Sequence, residues 1–91
     1  MERVRSRVIV HGVVQGVFFR DTCRRAALGH GVAGWVRNLP DGTVEAVFEG
    51  EADAVALMTE WAHHGPSGAA VTRVELHGER PESLEDFEIR D

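Results

Sequence analysis

Six consecutive residues, Gln15-Gly16-Val17-Phe18-Phe19-Arg20, join an apolar β-type segment to a helix-type one. Their types suit one task, the holding of a tetrahedral anion. Backbone N–H groups at a helix start have no intrahelical acceptor, and the helix dipole adds partial positive charge there, so a phosphate can be held with few side-chain cations. Arg20 adds a full charge on a planar fork suited to two phosphoryl oxygens. Gly16 lets the chain turn and come close to a ligand. The alternative, a surface arginine capping a helix start, is the weaker account of Arg20, because the dipole at that end is already positive.

The segments around this run must position it. Residues 4–10 alternate apolar side chains with Arg5 and Arg7 and are rich in β-branched types, which predicts a strand. After the Gly16 turn, Phe19, Cys23, Ala26, Ala27 and His30 fall on one helical face and Asp21, Arg24 and Arg25 on the other, with Gly29 and Gly31 as the stop. Residues 32–37 read as a second strand, Leu39-Pro40-Asp41-Gly42 as a turn, and residues 43–48 as a third strand, which together make a hairpin. Glu51-Ala52-Asp53 opens a second helix with Val55, Met58, Trp61 and Ala62 at helical spacing, and Gly65-Pro66-Ser67-Gly68 ends it. Residues 71–77 read as a fourth strand, 80–86 as a polar loop and 87–90 as a short closing strand. The expected class is therefore α+β: a ferredoxin-like βαββαβ sandwich with a short extra C-terminal strand, its antiparallel sheet covered on one face by two helices. No linker or repeat interrupts the chain, and a single domain over residues 1–91 is expected.

Composition excludes several function classes. The net charge is −5, and all ten basic residues are arginine. With no lysine, Schiff-base chemistry and a Walker-type lysine are excluded, which leaves arginine and backbone amides as the strong non-histidine phosphate donors. An acidic chain is poorly suited to tracking a nucleic-acid backbone, and with no tyrosine and no basic field an RNA-binding sheet is not expected. Cys23 is the only cysteine, so neither an intrachain disulfide nor a Cys-x-x-Cys metal-carrier loop exists, and it reads as a small core residue. No apolar signal core opens the chain and no stretch approaches the roughly 20 apolar residues of a membrane span, so a cytoplasmic location without membrane contact is expected. His63 and His64 are adjacent at a helix end and lack the i, i+4 spacing of a helical metal pair, while His11 and His77 are isolated.

Two long motifs carry a resemblance. Val10, Gly12, Val14, Gln15, Gly16, Val17, Phe19 and Arg20 form one, and Gly34, Trp35, Asn38, Gly42, Val44 and Gly50 the other. In this order and spacing they are similar to the two signatures of the acylphosphatase family. Weaker echoes at Gly65-Pro66, Ala69, Val71, Val74 and Phe87-Glu88-Ile89-Arg90 extend the likeness over nearly the whole chain. His30 departs from it, standing where the family usually has an apolar residue.

The resemblance implies the same ferredoxin-like fold and hydrolysis of small acyl phosphates to a carboxylate and inorganic phosphate, with no metal or other cofactor. It implies catalytic roles for Arg20 and Asn38, and substrate binding by Gln15, Gly16, Val17, Phe18, Phe19 and Arg20. By itself Asn38 reads as a turn residue before Pro40-Asp41-Gly42. In the family context its amide would hold the attacking water, without the repulsion a carboxylate would add beside a phosphate dianion. Arg37 reads more simply as a solvent-facing strand residue paired to a carboxylate. Inorganic phosphate or sulfate should occupy the same seat, and a monomer is expected. The competing account is an acylphosphatase-like accessory or binding domain without turnover of its own, as occurs at the head of a larger carbamoyl-transfer protein; a chain of 91 residues with a natural start favours the stand-alone enzyme.

Overall fold

The computed structural model describes residues 2–91. The first strand, β1 (Arg3–Val13), places Arg3, Arg5, Arg7, Ile9 and His11 on one face and Val4, Val8 and Val10 on the other, as the two-residue period of a strand requires. It is followed by α1 (Phe19–Gly29), β2 (Ala33–Asn38), β3 (Val44–Glu51), α2 (Ala52–Ala62), β4 (Ala70–Glu79) and β5 (Phe87–Arg90).

The sheet order is β4-β1-β3-β2-β5. β3 lies between β1 and β2, and β1 between β3 and β4, so each helix bridges two strands that are separated by a third. These are two interlocked split βαβ units, the ferredoxin-like arrangement. Strands β4, β1, β3 and β2 pair antiparallel. β5 adds to β2 in parallel, with Gly34 opposite Phe87 and Val36 opposite Ile89, so the five-stranded sheet is mixed.

The core lies between the helices and one sheet face. Phe19, Cys23 and Ala27 of α1 and Val55, Met58 and Ala62 of α2 pack on Val8, Val10, Val36, Val44, Ala46, Phe48 and Phe87. The Phe19 ring meets Trp61 at 5.1 Å between centroids, and Phe48 stacks on Phe87 at 6.0 Å. His30 is not part of this face. It is exposed and caps the helix end, while Gly31 (φ 69°) rather than Gly29 takes the left-handed conformation and Val32 N–H returns to Ala27 O at 2.8 Å.

β1 runs three residues past the expected Val10, because a bulge between His11 and Gly12 keeps it paired to β4 as far as Ala70. Gly12 is required there: a Cβ would stand 2.1 Å from Ala70 O. On the outer face, the polar loop of residues 80–86 crosses the sheet over Glu49. That fully buried carboxylate accepts from the Glu82 and Leu84 backbone N–H groups at 2.8 and 2.7 Å and from Arg3 and Arg5 at 3.3 and 3.4 Å. The loop is thereby strapped to the sheet just before β5 begins.

Candidate active site

The bend between β1 and α1 is built from two left-handed residues, Gly16 (φ 76°) and Phe18 (φ 64°). A Cβ at Gly16 would meet nothing within 4 Å, so the backbone angle and not crowding calls for glycine. From Gln15 to Asp21 no backbone N–H donates to a group among the described residues, and no side chain caps α1; the first helical bond is Thr22 N–H to Phe18 O at 3.1 Å. A run of amides without acceptors among the described residues thus lies at the positive end of a helix dipole.

Arg20, on the first turn of α1, lines a cavity of about 350 Å³ together with Val14, Gly16, Phe18, Phe19, Asp21, Asn38 and Ile89. Among the described residues Arg20 makes no ion pair or hydrogen bond. The other arginines are committed, with the exception of Arg80: Arg3, Arg5, Arg7, Arg37, Arg73 and Arg90 bind carboxylates, Arg24 binds Phe87 O, and Arg25 pairs with Asp21 at 3.1 Å. The Asp21 carboxylate, the one acid on the cavity wall, is thus held by Arg25. Arg20 is a half-buried cation free to meet an anion, beside amides free to do the same.

Asn38 ends β2 and lines the same cavity. Its Oδ1 is buried and has no hydrogen-bond partner among the described residues, and its amide group makes no bond to them either. The turn that follows is held by other groups. Asp41 Oδ1 accepts from Thr43 Oγ1 at 2.6 Å and from Thr43 N at 3.0 Å, and these two bonds, the hydroxyl's first, draw the Asp41 carboxyl below its ordinary pKa. Leu39 N–H donates to Thr43 O at 2.9 Å and Gly42 N–H to Leu39 O at 3.1 Å.

The Gln15 side chain points to this turn. Its Nε2 donates to Leu39 O at 2.8 Å and Thr43 O at 2.9 Å; both partners are acceptors, so the amide orientation is dictated. Gln15 therefore ties the β1–α1 bend to the residue after Asn38, and of its N–H donors only the backbone amide is left for an anion. Of the other expected binding residues, Gly16, Phe18 and Phe19 line the cavity, with Phe19 anchored in the core, while Val17 packs against the core edge beside Gly68.

Arg37 has the structural role: it donates to Glu45 Oε1 at 2.7 Å and lies over the Trp35 ring at 5.3 Å, opposite Arg90 at 5.0 Å. Cys23 is fully buried, and burial pushes its thiol pKa far up, which makes it inert. The histidines are separate: His11 meets Glu75, His63 the Thr59 carbonyl, and His64 Glu60. Sequence reasoning missed three cavity residues: Val14 and Asp21, which flank the expected run, and Ile89 of β5, which only the parallel pairing of β5 with β2 brings there.

Residues 6–89 match the family model described as Acylphosphatase. The chain is 55% identical over 89 residues to an acylphosphatase from Thermococcus kodakarensis, covering 98% of each protein. Among solved structures it is similar to an acylphosphatase from Coxiella burnetii, with TM-score 0.92 and 42% identity over 97% of this chain and 93% of that one. The acylphosphatase from Bacillus subtilis superposes equally well, with TM-score 0.92 and 35% identity over 97% of this chain and 99% of that one.

Proposed function

Since this chain belongs to the acylphosphatase family and is a hydrolase of that family's type, we propose that the cavity between the β1–α1 bend and Asn38 is where the carboxyl–phosphate bond of a small acyl phosphate is hydrolysed. The amides of residues 15–20 and the Arg20 guanidinium hold the phosphoryl oxygens. Charge spreads over these oxygens in the loose transition state of phosphoryl transfer, so donors fixed in advance stabilise it without reorganising. Asn38 orients a water for attack on phosphorus. The bond from phosphorus to the acyl oxygen breaks, its electron pair leaves with the carboxylate, and the water proton passes to a phosphoryl oxygen. A carboxylate departs well without protonation, so no strong general acid is needed. Inorganic phosphate or sulfate occupies the same seat.

One observation carries this assignment of residues: Arg20 and Asn38, eighteen positions apart in sequence, line one cavity with their polar groups uncommitted, while the surrounding polar groups are paired. The cavity, near the small end of the range for ligand pockets, suits a small substrate. All seven elements share one core or sheet, which supports a single domain over residues 1–91, and we read it as a monomer of the cytoplasm. Among the described residues no helix is long and apolar enough to cross a membrane.

Turnover of benzoyl phosphate in the presence of EDTA tests the scheme. We expect it to persist, and Arg20→Ala to lose turnover together with inhibition by inorganic phosphate. Activity abolished by EDTA, or an Arg20→Ala protein with unaltered phosphate inhibition, would contradict it. Phosphate binding without turnover would instead mark an accessory domain.

A further inference from the structure

The polar half of the cavity accounts for the phosphoryl group but not for its other walls. Val14 and Phe19 are almost completely buried and form a floor. Phe18 and Ile89 differ: they line the same cavity, yet Phe18 is 82% and Ile89 43% exposed. Singly exposed apolar side chains are ordinary, and Val13, Leu28, Leu57 and Leu76 are such cases, but among the described residues Phe18 and Ile89 are the exposed large apolar side chains that share one cavity.

Phe18 carries a second signal. Its φ of 64° lies in the left-handed region, which a residue with a Cβ adopts only under strain. A glycine at position 18 would take that angle freely and expose no ring. The strained backbone keeps the phenyl group out of the core, beside the free amides at the α1 start, while its neighbour Phe19 turns inward to meet Trp61. Ile89 arrives from the opposite end of the chain. Its position depends on β5, which is aligned by Val36 opposite Ile89 and preceded by the loop strapped to Glu49. Two unrelated elements thus present unpartnered apolar surface next to one phosphate seat.

We propose that Phe18 and Ile89 form an acyl subsite that selects acyl phosphates with an apolar acyl group, aromatic or branched, over those with a one-carbon or charged tail. This rests on the reading of the cavity as the hydrolytic site. Substrate binding covers the two side chains, and the apolar area removed from water favours an acyl group large enough to touch both. A small acyl group leaves them wet, and a carboxylate-bearing one is desolvated against them next to Asp21.

The test compares kcat/KM for benzoyl phosphate with kcat/KM for acetyl phosphate in the unaltered protein, Phe18→Ala, Ile89→Ala, the double variant and Phe18→Leu. The expected result is a benzoyl-to-acetyl ratio that falls about tenfold in Phe18→Ala, several-fold in Ile89→Ala and further in the double variant, with Phe18→Leu recovering most of it. A general distortion of the bend lowers both rates and leaves the ratio alone. A ratio in the double variant within twofold of the unaltered protein's overturns the subsite. Failure of the unaltered protein to turn over either substrate overturns the hydrolytic reading itself, a result separable from the first.

Discussion

Replacement of Asn38 by alanine should make the protein less active and no less stable, a combination that a turn residue cannot produce. The Asn38 Oδ1 atom is buried without a partner among the described residues, and an unsatisfied buried acceptor costs about 1–3 kcal/mol. Removing the amide removes that cost. Against it stands the lost contact of a small polar side chain at the end of β2, on the order of 1 kcal/mol by analogy with modest truncations. The turn itself is untouched, because Asp41, Gln15 and the Leu39–Thr43 backbone bonds hold it.

The net expectation is a change between zero and roughly 2 kcal/mol in favour of the folded state, which for a domain of this size is an increase in Tm of at most about 8–16 °C. Turnover should move the opposite way. Loss of one positioned group lowers kcat by about 10² to 10³, with phosphate inhibition little altered, because the cradle holds the phosphoryl group without Asn38. Asn38→Asp, nearly isosteric, should be worse for binding, since it adds an anion beside a dianion. Denaturant melts and steady-state hydrolysis of benzoyl phosphate, done on the same preparations, measure both quantities. An Asn38→Ala protein that loses 2 kcal/mol or more and keeps kcat within threefold would refute the reasoning and return Asn38 to the turn.

Two further expectations follow from the geometry. Gln15→Ala removes two neutral hydrogen bonds to carbonyls that each keep one other partner, so stability should fall by about 1–2 kcal/mol while kcat falls further than KM rises; Gln15→Glu, which sets an anion against two carbonyl oxygens, should be more damaging still, and equal kinetics in all three proteins would deny Gln15 its positioning role. For Glu49, desolvation opposes ionisation, but the Glu82 and Leu84 amides and the Arg3 and Arg5 guanidinium groups outweigh it and hold the carboxyl below its ordinary value of 4.5. A lowered folded-state pKa means stability that is complete above that value and lost as pH falls through the folded one. Glu49→Gln should therefore cost about 3 kcal/mol at neutral pH, with the gap to the unaltered protein closing below about pH 4.5; a constant gap down to pH 3 would show the strap to be held otherwise.

The elements were legible wherever the signal was local. Periodicity in residues 4–10, the helical spacing of Phe19, Cys23 and Ala27, and the Pro40-Asp41-Gly42 turn each depend on neighbours within a few residues, and each element formed where it was expected. The misassigned His30 shows the limit, since helical spacing continues past the point where Gly31 ends the helix. The parallel attachment of β5 and the extension of β1 through its bulge were not legible, because strand pairing is chosen among distant partners.

The same division runs through the candidate site. By itself the sequence determined the bend proposed as the cradle, because a strand, a glycine turn and a helix start are contiguous, and the uncommitted amides with Arg20 among them follow from that local geometry alone. Only the tertiary structure decided what faces the cradle. The Gln15 side chain finds acceptors 24 and 28 residues away, Asn38 is left with a buried oxygen unpaired among the described residues, and Ile89 completes the wall from the far end of the chain. Those relations are set by sheet order and register, and hydrogen-bond partners and cavity walls exist only after the strands have been brought together.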